Sequence, residues 1–163
     1  MGIGPDEFRH VLGHFASGVT VVTTWDADGR PTGLTASAFT SVSLTPPLVL
    51  VCVDQHAHSY DAFRTNGRFA INVLAAGQEA LSRHFASTQA DKFERIAFRT
   101  GACGLPLLLA ALAHLECRTV HTYPGGDHTI FVGEVEAATV GNGEPLLYYR
   151  GGYGRLQLGD PRS

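Results

Sequence analysis

The sequence predicts a mainly β fold: a small closed or partly open antiparallel barrel, Greek-key in character, of six or more strands with a few short flanking helices. Three observations lead there. Strand-like alternation recurs along most of the chain. Turn chemistry, rather than long helices, joins most of the alternating segments. No G-x-G-x-x-G follows the first strand, which removes support for a doubly wound dinucleotide fold.

The elements follow in order. After Pro5, Asp6 can cap a helix whose apolar residues Phe8, Val11, Leu12 and Phe15 recur at helical spacing, so it is expected to pack one face and to end near Gly18. "GVTVVTTW" alternates and is rich in β-branched residues, and "DADGRPTG" supplies the turn for a hairpin. "PLVLVCV", residues 47–53, is apolar on both faces and reads as a central strand covered on both sides. Short helices are expected from Ser59 to Asn66, stopped by Gly67, and around Gln78 to Phe85, with the strand "RFAINVL" between them. Residues 113–121 and 128–137 alternate and are expected to pair across a turn, "TYPGGD". "GEPLLYYRGGYGRLQL" adds a turn, an apolar-aromatic strand and a glycine-rich tail.

Composition bounds the function. The 163 residues are 44% apolar and fit one domain, residues 1–163, with a real core. Twelve Lys and Arg against 15 Asp and Glu give a net charge of −3, with no basic stripe, which disfavours nucleic acid. The longest apolar runs, "LVLVCV" and "LPLLLAALA", are core-sized and too short to span a bilayer, and the start lacks the layout of a signal peptide. Cys52, Cys103 and Cys117 are odd in number and far apart, so a reducing cytoplasm is the expected location.

Several stretches could carry chemistry. If "TASAFTSVS" is extended throughout, Thr35, Ser37, Phe39, Ser41 and Ser43 share a face, either as uncharged hydrogen-bonding groups for a planar ligand or as an ordinary solvent face. Ser59 reads as an N-cap or as the start of a phosphate site. Near His84, Phe85 reads as core and Lys92 as solvated. The C-x3-H-x6-H spacing of Cys117, His121 and His128 matches no standard zinc pattern, so no metal is expected. No G-x-S-x-G elbow favours a hydrolase. His128, beside Asp127 and after Gly125 and Gly126, is either a packed strand-end histidine or a ligand contact.

Taken together, "FASGVTVVTT", "GLTASAFTSVSLTPPLVLVCV", "GDHTIFVGEV" and "PLLYYRGGYGRL" resemble the flavin reductase family, the short-chain NAD(P)H:flavin oxidoreductases of two-component monooxygenases. The likeness runs from about Phe8 to about Leu156. It implies the FMN-binding split β-barrel fold, a homodimer, and reduction of FAD or FMN by NADH or NADPH, with NADH the expected donor. Reduced flavin would diffuse to a partner flavin-dependent monooxygenase. By position, the resemblance places Thr35, Ala36, Ser37, Ser41, Val42 and Ser43 against the isoalloxazine and ribityl chain, with Cys52, Val53 and Asp54 closing that wall. Ser59, Phe85 and Ala86 would lie toward the phosphate or adenylate part. His128 would stand where nicotinamide stacks on the flavin, and Gly151, Gly152, Tyr153 and Gly154 would help cover the dinucleotide. An FMN-binding electron carrier or flavin store without nicotinamide turnover is the alternative. An oxidase or heme-degrading relative on the same fold is a third reading, opposed by the G-D-H and C-terminal motifs.

Overall fold

The computed structural model describes residues 2–160. Helix α1 (Pro5–Leu12) starts with proline at its first position and Gly4 at the cap. Asp6 does not cap it; its carboxylate accepts from Arg9 at 3.3 Å. The helix stops at Leu12, short of Gly18, and its apolar face is not packed: Val11 is 57% exposed and Phe15, just beyond the helix, 81%. The expected packing of this face is thus not seen: none of the other described residues covers it.

A short strand β1 (Ser17–Gly18) leads into the hairpin of β2 (Thr20–Trp25) and β3 (Pro31–Ala36), reversed at Gly29 with φ +73°. β4 (Phe39–Leu44) and β5 (Pro47–Asp54) form the next hairpin. Helix α2 (Tyr60–Asn66) ends at Gly67 in the left-handed conformation (φ +73°), as its sequence requires. Strand β6 (Arg68–Val73) and helix α3 (Glu79–Ala86) follow. Next come β7 (Phe98–Thr100), β8 (Pro106–Leu108), the long β9 (Ala113–Gly125) and β10 (His128–Val140), and finally β11 (Leu146–Tyr149) and β12 (Gly152–Arg155).

Seven strands make one antiparallel sheet in the order β3-β2-β6-β9-β10-β5-β4. Its edge strands, β3 and β4, are consecutive in the chain and separated only by Ser37 and Ala38. Two residues cannot bridge a flat seven-stranded sheet, whose strands lie about 4.8 Å apart. The sheet therefore curls until its edges meet, and the barrel encloses Val22, Leu34, Val51, Val53, Phe63, Phe69, Ile71 and Phe131. β1, β11 and β12 form a separate three-stranded sheet.

The expectation that 35–43 runs as one extended face fails at that crossing. β3 ends at Ala36, β4 begins at Phe39, and a register shift between Ser41 and Ser43 breaks the alternation again. β5 lies next to the edge strand β4 and is not covered on both sides as expected: only Val49, Val51 and Val53 are buried, and Leu48, Leu50 and Cys52 remain partly open.

The core-sized run "LPLLLAALA" holds β8, which pairs with β7 to cover the sheet outside β2 and β6. Polar groups fix this excursion. Thr23 Oγ1 donates to the Pro106 carbonyl (2.5 Å), buried Asn72 accepts from the Leu108 amide (2.8 Å), and the buried Glu116 carboxylate accepts from the Cys103 amide (2.8 Å). Such satisfied buried groups specify register. The "TYPGGD" turn is also tighter than expected: β9 continues to Gly125, and only Gly126 (φ +70°) and Asp127 lie between the strands.

Candidate active site

β5 organises the site. Because its alternate residues fill the barrel, Cys52 and Asp54 turn outward with Leu50. Register then decides their neighbours. On β10, Asp54 faces His128 and Cys52 faces Ile130; on the other side the Cys52 amide donates to the Ala38 carbonyl at 3.1 Å. His128, Ile130 and Cys52 thus share an outer face, with His128 one pair-step beyond the Ile130–Cys52 pair, about 7 Å along the strands.

Two cavities open near this face. A groove of about 600 Å³ runs between Phe39, Thr40, Leu50 and Cys52 on one side and Leu12 and Phe15 on the other, with Ser17, Ser37 and Ala38 on its lining. A second cavity, of about 210 Å³, is lined by Thr35, Ser37, Ser82, Ala86, Tyr148 and Tyr153. Ser37 lines both, so the β3–β4 crossing separates them.

Tyr153 closes the smaller cavity. Its hydroxyl and Ser82 Oγ are 2.8 Å apart, Tyr148 meets it edge to face with centroids 5.4 Å apart, and the Arg83 guanidinium lies 4.8 Å from its ring centre. Thr35 Oγ1 donates to the Ser82 carbonyl at 2.6 Å, which ties the α3 wall to β3. The glycine-rich tail is a strand: Tyr149 pairs with Gly152, Tyr148 with Tyr153, and Gly154 with Leu147. Gly151 is in its turn at φ +78°.

His128 stands at the end of the barrel with its side chain 40% exposed. Its Nδ1 lies 2.6 Å from Asp127 Oδ1, and Gln55 Nε2 donates to its carbonyl at 3.3 Å. With Nδ1–H donating to the carboxylate, Nε2 is the ring nitrogen left for a ligand. The hydrogen bond from His128 holds Asp127 below the usual carboxylate range, and the His56 amide does the same for Asp54. Burial pushes the Cys52 thiol up, so it stays protonated at neutral pH.

The remaining expected residues are dispersed. Ser41 and Val42 lie exposed on β4, and Ser43 pairs with Leu48, six residues along β5 from Asp54 and so about 20 Å away. The side chains of Ala36, Val53 and Phe85 are buried, leaving only backbone to a ligand. Ser59 occupies the N-cap position of α2 but makes no capping bond, and its buried Oγ has no partner. Lys92 is buried rather than solvated: Nζ donates to the Phe85 carbonyl at 2.8 Å, and burial lowers its pKa. Cys117 is in the core and His121 pairs with Val132, so neither meets His128; among the described residues no three His, Cys, Asp or Glu side chains could hold a metal. Sequence reasoning missed Ser82, Tyr148 and Phe15 as lining groups, and Arg83 as the cation over Tyr153. Only the alternation in "LLYYRGGYG", which puts Tyr148 opposite Tyr153, could have signalled one of them.

Comparison with known proteins meets this geometry. The profile of the flavin reductase like domain matches residues 12–157. The reductase component of 4-nitrophenol 4-monooxygenase/4-nitrocatechol 2-monooxygenase from Rhodococcus opacus is 50% identical over 150 residues, covering 92% of this chain and 80% of that protein. An NADH-dependent flavin reductase from a Rhodococcus species is 44% identical over 158 residues, covering 96% and 89%. The solved NADH:FAD oxidoreductase of Streptomyces globisporus, in complex with NAD and FAD fragments, superposes with a TM-score of 0.88 at 43% identity, covering 96% of this chain and 97% of that one. With its profile, its curled antiparallel sheet and these relatives in agreement, this chain belongs to the flavin reductase family.

Proposed function

We propose that residues 1–163 act as one NADH-dependent flavin reductase unit that passes hydride from NADH to FAD or FMN and releases the reduced flavin to a separate flavin-dependent monooxygenase. The observation that carries this reading is the uncharged groove beside β5, on the same outer face as His128. Its volume is in the range of small-molecule sites. Its lining suits a planar ring with a polar edge: apolar Phe39 and Leu50, a protonated thiol at Cys52, and hydroxyls at Ser17, Ser37 and Thr40.

A bound flavin supplies the hydride-accepting ring, and the chain has to hold nicotinamide against it at about 3–3.5 Å. No general base is needed for that step. His128, its Nδ1 fixed by Asp127, is oriented to accept from a carboxamide N–H through Nε2. Ser37, which lines the groove, can turn its hydroxyl to the edge of the ring where negative charge grows. Tyr153 and the β11–β12 hairpin cover the neighbouring cavity, consistent with a role over the dinucleotide.

A homodimer in the cytoplasm completes the proposal. Its support is the open apolar face of Phe8, Val11, Leu12 and Phe15, which continues into the groove through Leu12 and Phe15. Gel filtration of protein loaded with excess FAD tests the dimer and the release of flavin. Elution at twice the mass of one chain, with colourless protein, is expected. Elution as a monomer contradicts the dimer, and stoichiometric yellow flavin in the protein peak favours the storage alternative.

A further inference from the structure

We infer that the cleft between α1 and the β11–β12 turn is an anion site that takes a phosphate or diphosphate group. The cleft measures about 330 Å³ and gathers Arg9, His10, His14 and Arg150 against a single carboxylate, Asp6. Asp6 is engaged by Arg9 at 3.3 Å, whereas no ion pair among the described residues involves Arg150. His14 is anchored at the cleft wall through Nδ1, which donates to the His10 carbonyl at 2.8 Å. The excess of donors over acceptors suits a multiply charged oxyanion, and guanidinium groups match phosphate geometry in two-pronged fashion.

The backbone at Arg150 supplies an independent indication. Arg150 and Gly151 form a two-residue hairpin turn, both with positive φ, at +50° and +78°. Such turns favour Asn-Gly, and a non-glycine side chain is disfavoured there. Arginine stands there nonetheless, and its amide donates to the Gly13 carbonyl at 2.8 Å, which fixes the turn against the end of α1. A residue that the turn itself disfavours, held across a cleft from a second guanidinium at Arg9, points to a use for the side chain.

Assigning the phosphate to a nucleotide of the reaction rests on the reductase reading above; the anion site does not. The experiment uses the full chain, the variants Arg150→Asn and Arg150→Gly, and inorganic pyrophosphate as probe in calorimetry. Both variants suit the turn, so both are expected to melt at or above the wild-type temperature, and pyrophosphate should bind at least about 10-fold more weakly to each, the order expected for loss of a charge-assisted contact. No saturable binding to wild type, equal binding to the variants, or lower melting of both variants overturns the proposal.

Kinetics then separate the sources of the phosphate. A raised KM for FMN without one for riboflavin assigns the flavin phosphate, and a raised KM for NADH with riboflavin as acceptor assigns the dinucleotide. If neither moves, the assignment to a nucleotide of the reaction is overturned. If wild-type protein binds pyrophosphate but oxidises no NADH with any flavin, the anion site stands and the reductase reading falls.

Discussion

Replacing His128 with alanine is expected to lower kcat/KM for NADH by about 10- to 100-fold while leaving flavin affinity nearly intact, because a positioning contact is lost rather than a proton carrier. The expectation follows from placement. His128 begins β10, opposite Asp54, and its ring is oriented by Asp127 at 2.6 Å. The groove that suits the flavin is lined instead at Ser37 and Cys52. Stopped-flow reduction of flavin at varied NADH checks this, and wild-type behaviour of the variant would remove His128 from the site. Its half-open side chain also predicts almost no change in melting temperature.

Phe131→Ala is expected to do the reverse, costing about 3–5 kcal/mol of stability as a large-to-small core change. Phe131 is 1% exposed and packs against Tyr60 and Phe63, with ring centroids 6.4 Å away in each case. For a chain of this size the loss should lower Tm by roughly 10 °C. The strand that loses its anchor is the one that carries His128, so NADH kinetics should worsen as well, but only along with stability. A melting temperature within a degree or two of wild type would contradict the packing described.

Much of the fold was legible because local and global preferences agree. β-branched alternation around "DADGRPTG" marked the β2–β3 hairpin, and Gly67 marked the end of α2. Other parts were illegible for physical reasons. The apolar run that contains β8 is buried, and burial without alternation does not distinguish strand from helix. Beyond Val120 strand β9 is exposed, so its residues carry turn-like composition although they are extended. The edge-to-edge crossing at Ser37–Ala38 depends on strand order, which no local pattern encodes.

The candidate site divides in the same way. The pairing of Asp127 with His128 follows from adjacency, and Thr35, Ser37, Ala86 and Tyr153 do line one cavity. Ser43 lies far from Asp54 because antiparallel pairing sends the start and end of a hairpin to opposite ends of β5. Phe85 proved to be core, the reading its helical spacing favoured on its own. Ser82 and Arg83 carried no signal, since their importance comes from a hairpin about 70 residues away that folds over them.

The most direct test of the account is anaerobic NADH oxidation by a catalytic amount of the protein, with FAD or FMN in large excess. The account predicts many turnovers, with bleaching of the free flavin in step with loss of NADH and no oxidation when flavin is omitted. Oxidation that stops after one equivalent per chain, or never starts with either flavin, would contradict it.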